Sequence, residues 1–64
     1  MIVYILEYKL AEGDVFTVHA VYSTAVKAYA AITGDDIDYE RASDTEEWFH
    51  TSEGFWFLTI EEVK

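Results

Sequence analysis

Cysteine is absent from these 64 residues, and only four lysines and arginines stand against 13 aspartates and glutamates. Without thiols there is neither a disulfide nor a thiolate metal site to staple so small a body. The formal net charge of −9 excludes the positive groove with which a nucleic-acid binder holds a phosphate backbone, and it sets the chain against anionic membranes as well. Long apolar runs are missing too. Ile2-Val3-Tyr4-Ile5-Leu6 has no basic residue before it and is cut short by Glu7 and Lys9, which fits neither a signal peptide nor a membrane anchor. There is no glycine-rich phosphate loop and no recognisable nucleophile elbow, and a catalytic cleft is hard to build in one domain of this size. The expectation is a soluble cytoplasmic protein that is not an enzyme and carries no cofactor.

What the chain does have is large side chains: two tryptophans, five tyrosines and four phenylalanines, with a valine- and isoleucine-rich aliphatic set. Disordered acidic chains lack these, so residues 1–64 are read as a single folded domain. Residues 2–10 and 15–22 are β-rich runs around Ala11-Glu12-Gly13-Asp14, a hairpin pattern. Ser23 offers an N-cap oxygen to a helix over residues 24–33, which Gly34 ends. Ala25, Ala28, Tyr29 and Ile32 fall on one helical stripe. Residues 46–51 and 55–62 read as two more strands around Ser52-Glu53-Gly54.

The order is therefore β-β-α-β-β. The first and last strands are apolar on both faces and belong in the centre, lying parallel through a helical crossover, while residues 46–51 alternate with polar groups and read as an edge. This predicts an α+β fold, a four-stranded mixed sheet of order 2-1-4-3 with one helix packed on one face. Period two places Tyr4, Leu6, Tyr8, Leu10, Phe16, Val18, Ala20, Tyr22, Trp56, Leu58 and Ile60 toward the helix, with His19 pointing off the outer face. Val3, Ile5, Val15, Val21, Phe55 and Phe57 are left on that outer face. One short helix covers one face only, so Val3, Ile5, Val21, Phe55 and Phe57 form an apolar patch suited to a homodimer interface or a heterologous docking surface.

Residues 35–47 hold seven carboxylates, Asp35, Asp36, Asp38, Glu40, Asp44, Glu46 and Glu47, beside a single Arg41. Asp36, Asp38, Glu40, Asp44 and Glu47 fit calcium-loop spacing, but Arg41 stands where the loop needs glycine and Ser43 where it needs an apolar residue, so no metal site is assigned. If Asp36, Asp38 and Glu40 are extended, their carboxylates lie about 6.6 Å apart, comparable to the charge spacing of a phosphate backbone. Such a row suits a channel lined with lysine and arginine; a solvated loop that only confers solubility is the plainer alternative. Trp48 follows on the chain as an aromatic anchor for a partner's pocket.

Val3-Tyr4-Ile5-Leu6-Glu7, Val21-Tyr22-Ser23-Thr24 leading into Lys27-Ala28, and the closing Phe57-Leu58-Thr59-Ile60-Glu61-Glu62-Val63 together resemble a pattern found among small phage-encoded β-β-α-β proteins without assigned activity. The acidic segment and Trp48-Phe49 depart from that pattern. The resemblance implies a viral protein in the host-cell cytoplasm. Its acidity is similar to that of anti-defence inhibitors, anti-CRISPR or anti-nuclease proteins, that bind a basic, nucleic-acid-handling host enzyme without catalysis, some as DNA mimics. On that reading Asp35, Asp36, Asp38, Glu40, Asp44, Glu46, Glu47 and Trp48 meet the partner by protein–protein interaction, with no direct contact to nucleic acid or membrane. The alternative is a structural or regulatory homodimer that uses the apolar sheet face.

Overall fold

Five stretches are extended and one is helical in the computed structural model, which describes residues 1–64. In chain order they are β1 (Ile2–Lys9), β2 (Thr17–Tyr22), α1 (Ala25–Ala30), β3 (Asp38–Ser43), β4 (Glu46–Thr51) and β5 (Gly54–Glu62). The strands form one sheet in the order β2-β1-β5-β4-β3, and every neighbouring pair is antiparallel.

This overturns the four-stranded mixed sheet of order 2-1-4-3. The acidic stretch after the helix is itself a strand, β3, and it takes the edge position expected of residues 46–51. One added strand reverses the direction of the last one. β1 and β5 are central neighbours as expected, but they run antiparallel, with Leu6 opposite Leu58 and Ile2 opposite Glu62. No helix is long and apolar enough to cross a membrane.

The helix is shorter than its apolar stripe predicts, and its cap is Thr24 rather than Ser23. Thr24 is extended (φ −137°), and its hydroxyl accepts the Lys27 N–H at 3.3 Å, satisfying one free donor of the first turn. Beyond Ala30 the ladder tightens: the Ala31 N–H bonds the Ala28 carbonyl and the Ile32 N–H the Tyr29 carbonyl, three residues back. The Thr51 hydroxyl then donates to the Thr33 carbonyl at 2.6 Å, and the Thr33 hydroxyl to Oε1 of Glu53 at 2.9 Å. These bonds hold the exit of the helix against the β4–β5 turn. Gly34 passes Thr51 at φ +109°, and a Cβ there would lie 2.5 Å from the Thr51 hydroxyl oxygen.

The core lies between α1 and one face of the sheet. Leu6, Leu58 and Ala28 are fully buried, Phe49 and Trp56 nearly so, and Tyr4, Tyr8, Tyr22, Ala31 and Ile32 pack around them. The two leucines face each other across the central pair of strands because β1 and β5 both alternate inward at even-numbered positions.

Period two fails at two places, between Arg41 and Ser43 in β3 and, with more consequence for the faces, in β2. Leu6 pairs with Ala20 but Glu7 pairs with Val18, so His19 is the extra residue of a bulge. The slip exchanges the faces of what precedes it in the strand. His19 turns inward to meet Trp56 edge-on, with ring centroids 5.6 Å apart. Phe16, expected inside, lies with Trp48 and Phe57 on the outer face, and Val18 is left exposed there. Leu10, also expected inside, is exposed at the strand's end.

Candidate protein-binding face

The registers lay out the outer face as rows running across the strands. One row is Val18, Glu7, Phe57, Trp48 and Glu40, in the order β2-β1-β5-β4-β3. Beside it on one side run Val21, Ile5, Thr59 and Glu46, and on the other Lys9, Phe55, His50 and Asp38. Val3, Ile5, Val21, Phe55 and Phe57 therefore do share one face, on which no helix packs. Val18, Val21 and Trp48 are 63%, 56% and 40% exposed, a level at which apolar side chains gain by association.

The aromatic groups on this face hold one another in place. Trp48 tilts against Phe57 at 4.3 Å between centroids, and Phe16 meets Trp48 edge-on at 5.6 Å. His50 stacks flat on Phe55 at 4.1 Å, with 5° between the planes. The Lys9 ammonium sits 4.8 Å from the centre of the Phe16 ring and 5.3 Å from that of Phe55, so these rings already attract a cation.

The seven carboxylates do not form one surface. Asp38, Glu40 and Glu46 lie on the outer face, each in a row with an apolar or aromatic side chain. Asp35 and Asp36 lie before β3, at the end of the sheet: the backbone of Asp35 exchanges hydrogen bonds with Ser52, and Asp36 has a left-handed φ of 52°. Only Asp38 and Glu40 of the expected phosphate-like row are in the strand. Asp44 is in the β3–β4 turn, 3.8 Å from Arg41, in an exposed ion pair that contributes little. The spacing that resembles a calcium loop is drawn out along an antiparallel hairpin, and no three histidine or acidic side chains converge.

Glu47 is turned the other way. It is buried on the helix side of β4, where Oε1 accepts from the Tyr29 phenol at 2.7 Å and Oε2 from the Tyr39 phenol at 2.9 Å. Arg41 is opposite Glu47 in register, yet its guanidinium pairs with Asp44 and donates through Nε to the Ser43 carbonyl. The hydrogen bond to Glu47, then burial and the carboxylate charge, push the Tyr29 phenol from 10.0 up to about 12. Tyr39 is raised by its own hydrogen bond to Glu47.

Along the outer face, between β3, β4 and β5, runs an open groove of about 360 Å³ lined by Asp38, Tyr39, Glu40, Trp48, Phe49, His50 and Phe55. Sequence reasoning placed Trp48, Asp38 and Glu40 in a binding role but missed His50. The alternation Glu46, Trp48, His50 is the signal that puts it beside them. Comparison with protein-family models, with curated proteins and with solved structures finds no match to this chain.

Proposed function

We propose that this chain is a non-catalytic binding protein that covers the basic, nucleic-acid-handling surface of another protein, as a stoichiometric inhibitor of the phage type acting in a host cell's cytoplasm. The observation that carries the reading is the composition of the outer sheet face: Trp48, Phe57, Phe55 and Phe16 at its centre, with Asp38, Glu40 and Glu46 along one side. A surface built to hold nucleic acid presents lysine and arginine for phosphates and apolar or planar groups for bases. An aromatic centre with an acidic margin is complementary to it in both respects. The carboxylates set the encounter rate and the aromatic groups the residence time.

The test is capture from bacterial lysate at low and high salt, using the native chain and a variant combining Asp38→Asn, Glu40→Gln and Glu46→Gln. The expected result is a nucleic-acid enzyme retained by the native chain, displaced by added nucleic acid, and held more weakly and with less salt sensitivity by the variant. Retention unaffected by both the triple change and competing nucleic acid overturns the reading.

The exposure of Val18 and Val21 on this same face, beside the half-buried Ile5 and Phe57, favours a second reading, a homodimer. In that case Val3→Glu with Phe57→Glu abolishes assembly seen by sedimentation at micromolar concentration, and a strict monomer for the native chain removes the possibility.

A further inference from the structure

We infer that the groove on the outer face is an arginine-binding site, made to receive one guanidinium group from the partner protein. The inference rests on the reading of this face as a docking surface and names the side chain that enters it. The groove runs between two rows, with Trp48 and Glu40 on one side and Phe55, His50 and Asp38 on the other. Tyr39 and Phe49, whose side chains turn to the helix face, close it from below. Side chains two residues apart on a strand stand about 6.6 Å apart, close to twice the ~3.5 Å contact distance of packed planar groups. One flat group fits between the rows.

The chemistry of the walls selects which flat group. Trp48, backed by Phe57, and the His50–Phe55 stack are aromatic surfaces fixed by their neighbours, and aromatic faces attract cations. Asp38 and Glu40 occupy the open side of the groove on the edge strand. Neither carboxylate has a side-chain partner, the chain's ion pair being that of Arg41 with Asp44 on a separate turn. Aromatic walls with two free carboxylates at the rim match a guanidinium, which is planar, stacks on rings and donates in a fork to carboxylate oxygens. The compact, strongly hydrated ammonium of lysine uses the charge but not the shape. The Lys9 ammonium over Phe16 and Phe55 shows this aromatic cluster, the groove-lining Phe55 included, already holding a cation.

The test uses the full chain, isotope-labelled for nuclear magnetic resonance, titrated with two peptides of equal length and charge, one built on arginine and one on lysine. Expected are shifts at the Trp48 indole N–H and at the amides of residues 38–40 and 48–50, with the arginine peptide bound about fivefold more tightly. Trp48→Ala erases that preference, while Glu40→Gln weakens both peptides and leaves the indole packing intact. Where Trp48→Ala fails to give a dispersed spectrum, Glu40→Gln and Asp38→Asn decide. Equal affinity for the two peptides, shifts confined to another surface, or a folded Trp48→Ala that keeps the preference overturns the arginine site. Each of those results leaves capture of a basic enzyme to stand or fall by its own experiment.

Discussion

The Tyr29 phenol donates a 2.7 Å hydrogen bond to Oε1 of Glu47, joining the helix to the fourth strand. Tyr39 occupies the other oxygen, so a buried carboxylate with no cationic partner is satisfied by two neutral donors. Tyr29→Phe is expected to destabilise the fold by about 1 kcal/mol, below the usual range for a bond to a charged group because the phenol is partly in water. Glu47→Ala should cost more than Tyr29→Phe, since it strips both phenols of their acceptor and opens a void beneath the helix. Glu47→Gln, which keeps the shape and one acceptor oxygen, falls between them. Denaturant unfolding of the three variants gives the order, and an unchanged midpoint for Glu47→Ala contradicts it.

The same pair makes stability fall in alkali. Below pH 10 the Tyr29 phenol is protonated in both folded and unfolded chains, and its contribution is complete. As pH rises from 10.0, the unfolded chain releases this proton while the folded chain retains it to about 12. Stability therefore declines through that window and is lost as the folded group ionises. Phenolate absorbance of the native chain should contain a component titrating at about 12 that Tyr29→Phe removes. Glu47→Gln should return it toward 10.0, and a Tyr29 midpoint that does not move in that variant refutes the assigned cause.

Two glycines should respond in opposite ways to alanine. Gly54 has φ +141°, and a Cβ there would lie 2.7 Å from the Lys9 carbonyl oxygen and from the Tyr8 ring. Gly54→Ala is expected to destabilise by more than about 1 kcal/mol, through strain and displacement of β1 from β5. Gly13 has nothing within 4 Å of the same position and no positive φ, so Gly13→Ala should be neutral or stabilise by up to about 1 kcal/mol. Thermal unfolding of the two single variants separates them, and equal melting temperatures would count against the strain at Gly54.

The first hairpin, the helix position and the central placing of β1 and β5 were legible because their side chains alternate or repeat at the period of the element. β3 was not. Asp38-Tyr39-Glu40-Arg41 has no apolar face of its own, and what makes it a strand is tertiary: Tyr39 packs on Phe49, with centroids 5.1 Å apart, and reaches Glu47. Counting one strand too few inverted β5 relative to β1. The bulge at His19 was invisible for a related reason, since residues 16, 18, 20 and 22 are apolar whichever face they take. Within the outer face, the positions of Trp48 and of the apolar patch could be read from alternation. The burial of Glu47 could not: alternation sets it on the face opposite Trp48, with Phe49, but nothing local shows that the Tyr29 and Tyr39 phenols satisfy its carboxylate there.

Leu6, at the centre of the molecule, finds its opposite number in Leu58, near the other end of the chain. Until β5 is in place, the first hairpin has no neighbour on its inner edge, and the β3–β4 ribbon is tied to the first half by side-chain contacts, among them those of Tyr29 of the helix with Glu47 and Phe49. Joining β1 to β5 means closing a long loop, an entropic cost that the pairing of those two strands must offset. The β1–β5 pairing is thus the seam of the sheet with the largest closure cost.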